Sequence, residues 1–328
     1  MSRPRVLLTN AIDPSGMAIL EPEAEVVIAP DTKPETLKRL VVEADALMVR
    51  AFLPADLFDT PNRLRGVVRH GVGLDMIPMD GATKHGIPVA NVPGSNAEAV
   101  AEYAIGAMVS LARRLHVMDR ELRAKDWNPA RKHSDLSTEL LGRTLGIVGF
   151  GNVGARAAEI AALGFRMKVL ATASRSRPAP AHVQVADLDR LFRESDYVLL
   201  SCPLTDETKH LVNAACLATM KPSAMIVNAA RGPVIDEKAL VEALKAGRLR
   251  GAALDVYETQ PVARDHALLA MDNVLLTPHA AGITEDSMKN MSQGAARDTV
   301  RLLRFERPEN FCNPEVWNRH LARFGRTA

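Results

Sequence analysis

Residues Gly149 to Gly154 have the spacing of a loop that binds a dinucleotide phosphate. The sequence there is Gly149-Phe150-Gly151-Asn152-Val153-Gly154, directly after the apolar run 145–148. This spacing is informative where it joins a predicted strand to a predicted helix, as it does here. Gly149 permits the tight turn, Gly151 lets a pyrophosphate approach the backbone, and Gly154 lets helix and strand pack closely. The N–H groups at the helix start, including those of Asn152 and Val153, would face the phosphates.

Arg231 and His279 have the chemistry needed to bind a carboxylate and to move a proton at the carbonyl beside it. Arg231 comes shortly after an apolar run that ends at Asn228, and His279 follows Pro278 at the end of another such run. Ligands of open α/β sheets bind beyond the carboxyl ends of the strands. A guanidinium offers a planar fork of donors to a carboxylate, and an imidazole titrates near physiological pH. Taken alone, a loop arginine is more often simply solvated, and a single histidine more often serves the structure.

The elements that must position these residues alternate along the chain between strand-like and helix-like patterns. Strands are predicted at 145–149, 168–171, 197–201, 224–228, 252–256 and 274–277, with helices such as 155–163, 188–194 and 237–246 between them. Asp236 stands where a helix N-cap is expected and Gly247 where that helix should end. Such alternation predicts βαβ units and a parallel, doubly wound sheet.

The first part of the chain repeats this alternation in a smaller form. Strands are predicted at 5–9, 26–28, 46–48, 66–69 and 88–91. A long helix at 97–122 should cross between two domains, and a helix at 285–305 should return the chain to the first. We therefore predict a discontinuous substrate-binding domain, residues 1–98 plus 288–328, and a dinucleotide-binding Rossmann domain, residues 99–287.

Composition limits the classes of function. The 328 residues are 47% hydrophobic and 24% charged, with a formal net charge of +2. These values predict a soluble protein of about two domains that binds neither nucleic acid nor a membrane. The three cysteines, Cys202, Cys216 and Cys312, show no metal-site or disulfide spacing, which predicts a reducing cytoplasm and no metal. No apolar run reaches the length of a membrane span, and no secretory signal is evident.

A series of motifs in one order resembles those of the D-isomer-specific 2-hydroxyacid dehydrogenases. The motifs lie at 69–75, 92–96 with 100–102, 145–154, 202–208, 228–232, 251–258 and 277–282. The resemblance implies an α/β fold of two Rossmann- or flavodoxin-like domains with parallel sheets and an active site in the cleft between them. It also implies that Arg231 polarises the substrate and that His279 is the catalytic acid and base. The backbone N–H groups of Val72 and Gly73 would bind the substrate carboxylate, although the glycines there could simply shape a turn.

The resemblance extends to residues expected around a nicotinamide cofactor. These are Gly149, Gly151, Asn152, Val153, Gly154, Cys202, Pro203, Thr208, Ala229, Ala230, Asp255 and Gly282. Asp255 is expected near the nicotinamide, with a turn-capping aspartate as the alternative.

The sequence departs from the family pattern at Gln260, which precedes Pro261 where the family usually has a glutamate. An amide can still accept a hydrogen bond from the imidazole of His279, but it adds no negative charge to favour imidazolium. The pKa of His279 is therefore expected to lie below that in relatives with glutamate, and keto-acid reduction should fade earlier as pH rises. Glu258 is an alternative partner for the histidine, two residues too early in the sequence.

A second departure concerns the adenosine end of the cofactor. An acidic residue about twenty positions into the motif normally holds the ribose hydroxyls. Here that place falls near Ala173, and Ser174, Arg175, Ser176 and Arg177 follow it. Such a set could bind a 2′-phosphate through charge-assisted hydrogen bonds. It predicts NADP(H) as the preferred cofactor, with NAD(H) possible; a solvated basic loop is the alternative.

The resemblance therefore implies a reductase of a small 2-keto acid, of the hydroxypyruvate or glyoxylate type. A phosphoglycerate dehydrogenase is the alternative, and a formate dehydrogenase or a dinucleotide-sensing corepressor would fit less well. The expected partners are a 2-keto or 2-hydroxy acid and a second copy of the chain, in contact through the region 97–122. Loops near Arg50 and His70 should set substrate specificity.

Overall fold

The structure is a computed structural model that describes residues 3–173 and 178–327. Numbered along the chain, its strands are β1 (Arg5–Leu8), β2 (Glu25–Ile28), β3 (Ala46–Val49), β4 (Gly66–Arg69), β5 (Val89–Ala90), β6 (Thr144–Val148), β7 (Lys168–Ala171), β8 (Val183–Val185), β9 (Tyr197–Leu200), β10 (Met225–Asn228), β11 (Gly251–Leu254) and β12 (Val274–Leu276). Its α-helices are α1 (Pro14–Leu20), α2 (Pro34–Val41), α3 (Met79–Lys84), α4 (Ala97–Arg113), α5 (Leu115–Ala124), α6 (Trp127–Lys132), α7 (Asn152–Glu159), α8 (Leu188–Glu194), α9 (Ala214–Thr219), α10 (Glu237–Lys245), α11 (Glu285–Leu303) and α12 (Trp317–Arg323).

The chain forms two compact units. The first comprises the residues up to Asn96 together with those from Ile283 onward, and the second is Ala97–Gly282. The predicted domain limits, 98/99 and 287/288, remain a prediction.

The first unit is built on a five-stranded parallel sheet in the order β2-β1-β3-β4-β5. Alternate side chains of its strands enter two separate apolar cores, one of which includes Leu7 and Leu47 and the other Val6 and Met48. Because both faces of a parallel sheet are covered, its strands are apolar runs rather than alternating ones. Helix α11 packs against β3 and β4 on the second face.

The second unit is built on a seven-stranded parallel sheet in the order β12-β11-β10-β9-β6-β7-β8. The chain starts at β6 in the middle, builds outward through β7 and β8, and then returns to β9 on the other side. The strand order therefore reverses between β6 and β9, and a crevice forms at the carboxyl ends of such neighbours. This is the edge at which the predicted cofactor loop lies.

The predicted strands are observed with ends shifted by one or two residues, and β7 and β4 have the predicted limits. The predicted helix at 97–122 is wrong in one respect, because it is broken between α4 and α5. Arg114 interrupts it with a φ of 55°, in the left-handed region. Its backbone N–H bonds back to the carbonyl of Leu111, closing a tight turn between the helices. Strand β8, at the sheet edge, was not predicted.

Within the described part of the chain, no helix is both long and apolar enough to cross a membrane.

Candidate active site

The glycine loop follows β6 and leads into α7, as its spacing predicted. Gly149 has a φ of 98°, and its N–H donates to the hydroxyl of Thr172 at 3.0 Å. A Cβ on Gly149 would lie 2.5 Å from the backbone nitrogen of Cys202, and one on Gly154 would overlap the carbonyl of Gly149. A Cβ on Gly151 would have no described atom within 4 Å. Gly149 therefore allows close contact with the backbone of Cys202, and Gly154 allows close contact with the carbonyl of Gly149. Gly151 instead leaves open space beside the start of α7.

Helix α7 begins at Asn152, with Gly151 as its N-cap residue. The first N–H groups of a helix have no partner within it, and they carry the positive end of its dipole. Open space at Gly151 and these N–H groups together fit a phosphate of a dinucleotide. The residues of the loop thus match the requirements of the cofactor that the sequence predicted.

The loop after β9 forms the other wall at the point where the strand order reverses. Cys202 is buried, and its backbone lies against Gly149. The Thr208 hydroxyl donates to the carbonyl of Pro203 at 2.7 Å and accepts from the N–H of Thr205 at 2.8 Å. Thr208 therefore shapes this loop, and direct contact of the three predicted residues with a cofactor remains a prediction.

Arg231 lies after β10, in a loop held by the last residue of that strand. The Asn228 side chain donates to the carbonyl of Arg231 at 3.0 Å and accepts from the N–H of Ala230 at 3.1 Å. The Arg231 guanidinium itself donates to the carbonyl of Ala230 at 2.8 Å. Ala229 and Ala230 are thus fixed in a short turn between the strand and the arginine. This turn carries Arg231 at the carboxyl edge of the sheet.

Asp255 is 2% exposed and follows β11, where its carboxylate holds the loop that carries His279. One oxygen accepts from the Thr277 hydroxyl at 2.6 Å and from the N–H of Ala280 at 2.8 Å. The other accepts from the N–H of Ala281 at 2.9 Å. His279 has a left-handed φ of 55°, and its N–H donates to the Asp255 carbonyl at 2.8 Å. These bonds hold a backbone conformation that a non-glycine residue rarely adopts. A role of Asp255 toward the nicotinamide remains a prediction.

The imidazole of His279 meets the side chain of Gln260. The distance between Nδ1 of His279 and Oε1 of Gln260 is 3.0 Å. The Gln260 amide nitrogen donates to the carbonyl of Tyr257 at 3.4 Å, which directs the amide oxygen toward the histidine. Since that oxygen can only accept, Nδ1 carries the hydrogen and Nε2 faces away from the amide.

Buried Tyr257 and half-buried Tyr103 bond to Thr277, two residues before His279. The Tyr257 hydroxyl donates to the carbonyls of Leu254 and Thr277, at 3.1 and 2.9 Å. The Tyr103 hydroxyl bonds to the Thr277 hydroxyl at 2.7 Å. Burial raises the pKa of both tyrosines to about 12, so they remain protonated. Sequence reasoning missed Tyr103 and Thr277, because their partners are distant in the chain.

The side chain of Glu258, the alternative partner of the histidine, is engaged elsewhere. Its Oε1 lies 2.9 Å from Nε2 of His210 and accepts from the N–H of Glu237 at 3.4 Å. Gln260, and not Glu258, therefore lies at hydrogen-bond distance from the His279 ring.

Val72 and Gly73 lie in the first unit, in the loop after β4. Asn91 donates to the carbonyl of Val72 at 2.7 Å, and Arg69 donates to that of Gly73 at 3.1 Å. The backbone N–H groups of Val72 and Gly73 donate to no acceptor within residues 3–173 and 178–327. Both N–H groups are thus available to an anionic ligand, whereas Gly71, with a φ of 133°, serves the turn.

Buried His70 is bonded to the Ser292 hydroxyl at 2.7 Å, and burial together with the charge of Arg50 lowers its pKa to about 4. It is thus a neutral part of the first unit.

Gly282 ends the second unit. The predicted phosphate-binding residues Ser174 and Arg175 lie outside the described residues. Among the residues that are described, no three potential metal ligands cluster together.

Comparison with known proteins identifies the family. The family model for the D-isomer specific 2-hydroxyacid dehydrogenase NAD binding domain matches residues 105–281. A glyoxylate reductase of Korarchaeum cryptofilum is 38% identical over 324 residues, which are 96% of this chain and 97% of that protein. A hydroxypyruvate reductase of Thermotoga maritima is 36% identical over 296 residues, 89% of this chain and 95% of that one.

The fold is similar to that of an NADPH-dependent glyoxylate/hydroxypyruvate reductase from Sinorhizobium meliloti. The TM-score is 0.84 at 28% identity, covering 95% of this chain and 99% of the other. With the family model spanning more than half of the chain and relatives covering nearly all of it, the chain belongs to the D-isomer-specific 2-hydroxyacid dehydrogenases, a family of NAD-binding oxidoreductases.

Proposed function

We propose that this protein reduces a small 2-keto acid, of the glyoxylate or hydroxypyruvate type, to the corresponding D-2-hydroxy acid. The observation that carries the proposal is the contact between Nδ1 of His279 and Oε1 of Gln260, at the same sheet edge as the glycine loop. The similarity to a glyoxylate reductase and a hydroxypyruvate reductase supports this substrate class. When bound, NAD(P)H supplies the hydride that adds to C2.

His279 supplies the proton that the reduction needs. With Nδ1 bonded to Gln260, we assign Nε2 as the ring nitrogen that exchanges a proton with the substrate. In the imidazolium form, Nε2–H donates its proton to the carbonyl oxygen as C2 takes up the hydride, which leaves neutral imidazole and a hydroxyl group. In the reverse direction, neutral Nε2 accepts the hydroxyl proton. The Asp255 bonds to the loop keep the ring in place for both directions.

Arg231 binds the substrate carboxylate and polarises the keto oxygen through its planar set of N–H donors. In the first unit, the N–H groups of Val72 and Gly73 are proposed as further carboxylate donors, as the resemblance implies. Positive charge and backbone donors stabilise the negative charge that develops on the oxygen during hydride transfer.

Gly149, Gly151 and Gly154 would hold the pyrophosphate, with the N–H groups of Asn152 and Val153. We propose that NADPH is preferred over NADH, because Ser174 and Arg175 follow β7 where an acidic residue would repel a 2′-phosphate. The NADPH dependence of the Sinorhizobium meliloti relative supports this preference.

A panel of 2-keto acids, each offered with NADPH and with NADH, tests the function and the cofactor together. Loss of absorbance at 340 nm should be fastest with glyoxylate or hydroxypyruvate and NADPH. Arg231→Gln and His279→Asn should each lower kcat/KM by about a hundredfold or more, since removing a transition-state donor costs at least that much. Failure to oxidise either cofactor with any keto acid would exclude the reductase and favour a dinucleotide-sensing binding protein. Turnover of formate with NAD would instead favour a formate dehydrogenase, in which Gln260 would have no proton transfer to assist.

A phosphorylated keto acid belongs in the panel because of Arg50. This half-buried guanidinium bonds to the carbonyl of Ala11 and has no carboxylate partner among the described residues. Burial lowers its pKa. A positive charge without a described counter-ion favours an anionic group at this place, as the phosphoglycerate dehydrogenase alternative requires. If the protein prefers 3-phosphohydroxypyruvate and Arg50→Gln abolishes this preference, the phosphoglycerate dehydrogenase alternative is supported.

We propose that the protein is a homodimer and acts in the cytoplasm. The exposed side chains of Leu115 and Leu122, on α5, support a contact between two copies in this region. Sedimentation analysis tests the dimer.

A further inference from the structure

Two glutamates, Glu237 at the start of α10 and Glu258 after β11, each accept a hydrogen bond from the other's backbone N–H. The N–H of Glu237 donates to Oε1 of Glu258 at 3.4 Å, and the N–H of Glu258 donates to Oε2 of Glu237 at 3.2 Å. We refer to this arrangement as the Glu237–Glu258 clasp. Because the clasp brings two negatively charged side chains into one place, positive or hydrogen-bonding groups beside them would stabilise it.

Two histidines meet that requirement. Nε2 of His210 lies 2.9 Å from Glu258, and Nε2 of His266 lies 2.9 Å from Glu237. Nδ1 of His266 accepts the N–H of Leu268 at 3.3 Å, so Nε2 carries the hydrogen and donates it to the glutamate. Each carboxylate therefore meets one histidine and one backbone N–H: Glu258 through the single oxygen Oε1, and Glu237 through its two oxygens.

The clasp joins the two chain segments that carry the reacting side chains. Glu258 is two residues before Gln260, and Glu237 begins α10, six residues after Arg231. Between them, Gly232 packs directly on the peptide that links Tyr257 to Glu258, where a Cβ would overlap the Tyr257 carbonyl. A displacement of either segment therefore moves the other.

The same segment fixes the amide that directs His279. The carbonyl of Tyr257, whose peptide group touches Gly232, is the acceptor for the Gln260 amide nitrogen. With its nitrogen bonded to this carbonyl, the Gln260 amide presents its oxygen to Nδ1 of His279.

We propose that Glu258, held by His210 and Glu237, is a positioning residue for the reduction: it sets the orientation of Gln260 and of the Arg231 loop relative to His279. The inference rests on the proposed function. Glu258 acts through other residues and donates no group to the reaction. Partly exposed ion pairs contribute little to folding stability, whereas displacing a reacting group by about 1 Å can lower a rate by about a hundredfold. The clasp should therefore matter to turnover much more than to folding.

The test compares Glu258→Ala with Glu258→Gln in the full chain. Glutamine keeps an oxygen that can accept from His210 and from the N–H of Glu237, whereas alanine keeps neither bond. We expect E258A to lower kcat for the keto acid by about tenfold, with the Kd for NADPH and the melting temperature unchanged. E258Q should stay within about twofold of the parent, because the bonds rather than the charge are required.

A matched control is the His85–Asp59 pair of the first unit, which has a similar distance of 2.8 Å and comparable exposure. Asp59→Ala should leave kcat unchanged. Should E258A fail to fold, His210→Ala replaces it, since it removes the imidazole partner of Glu258 and leaves Glu258 itself in place. An E258A or H210A variant with parental kcat, or an equal loss in D59A, would overturn the proposal.

A spectroscopic readout separates this inference from the function on which it rests. In histidine labelled with ¹⁵N, the shifts of the ring nitrogens show which one carries the proton, and His279→Asn assigns the signal. The parent and E258Q should show His279 protonated at Nδ1, and E258A should show a mixture of tautomers. An unchanged His279 signal in E258A overturns the positioning role even in a protein that turns over no keto acid, and absent turnover alone overturns only the proposed function.

Discussion

Nδ1 of His279 lies 3.0 Å from Oε1 of Gln260, so this ring nitrogen meets a neutral amide rather than a carboxylate. An amide at this place orients the imidazole as a carboxylate would, because it accepts the same hydrogen bond from Nδ1. It lacks the negative charge that would stabilise the imidazolium form. The contact with Gln260 thus orients the imidazole but lacks the electrostatic support that a carboxylate would add.

Gln260→Glu should extend keto-acid reduction to higher pH. A carboxylate beside the ring favours imidazolium, so the pKa of His279 rises and the proton donor persists as pH increases. One pKa unit corresponds to about 1.4 kcal/mol of interaction, and we expect the alkaline limb of kcat/KM to move up by about one pH unit. The measurement is the pH profile of reduction in parent and variant.

Gln184→Glu is the control for that experiment, since it makes the same change of charge on exposed strand β8 at the far edge of the sheet. Its profile should match that of the parent. A Q260E profile that coincides with both would show that the residue at 260 does not influence the proton donor.

Asp255→Asn should destabilise the second unit as well as impair turnover. The asparagine has one acceptor oxygen, so at least one of the N–H groups of Ala280 and Ala281 would face an amide nitrogen. An unsatisfied buried donor costs about 1–3 kcal/mol, and we expect a loss of that size in the free energy of unfolding from urea titrations. Asp272→Asn, which breaks an exposed ion pair with Arg120, should cost less than about 1 kcal/mol. Equal losses in the two variants would contradict the role assigned to Asp255.

Gly154→Ala should weaken cofactor binding by at least about tenfold. Its Cβ would overlap the carbonyl of Gly149, so α7 must move away from β6 and carry the phosphate-binding N–H groups with it. Fluorescence titration with NADPH measures the effect. Gly164→Ala, whose Cβ meets no described atom within 4 Å, is the matched control and should bind as the parent does. Unaltered binding in G154A would place the cofactor elsewhere.

Much of the fold could be predicted from the sequence, because buried parallel strands are continuous apolar runs that few other patterns imitate. Strand β8 was missed for the opposite reason. It has three residues, of which Gln184 and Val185 are exposed, so it shows no apolar run. The break at Arg114 was missed because neither glycine nor proline marks it. It depends on a left-handed residue and on the packing of α5, which a helical pattern does not reveal.

Arg231 and His279 could be predicted as reacting residues because each follows a strand at the carboxyl edge of the sheet. What the sequence did not reveal is how they are held. The bonds from Asp255 to Ala280 and Ala281 and the clasp between Glu237 and Glu258 join segments about twenty or more residues apart. Aspartate and glutamate are common on protein surfaces and at helix starts, so these residue types do not mark such contacts in the sequence. Only the fold brings them together.

His320 should make the first unit less stable in acid. Its ring is fully buried against Phe305, Trp317 and Phe324, with centroids 5.4 to 5.8 Å apart. Neither ring nitrogen has a hydrogen-bond partner among the described residues. Burial, together with the nearby charge of Arg323, lowers its pKa from the ordinary 6.5 to about 4.

Between those two values the unfolded chain binds a proton at this residue and the folded chain does not. Stability from the neutral ring is therefore complete above pH 6.5 and declines as pH falls toward 4, by up to about 1.4 kcal/mol per pH unit. His320→Phe keeps an aromatic ring and removes the proton site. Its free energy of unfolding should fall less steeply between pH 7 and pH 5, although buried His70 still contributes a slope of its own. Any strain from the larger ring is the same at every pH, so the slope from urea titrations at several pH values isolates the effect. An identical slope in H320F and the parent would mean that His320 takes up its proton equally well in both states.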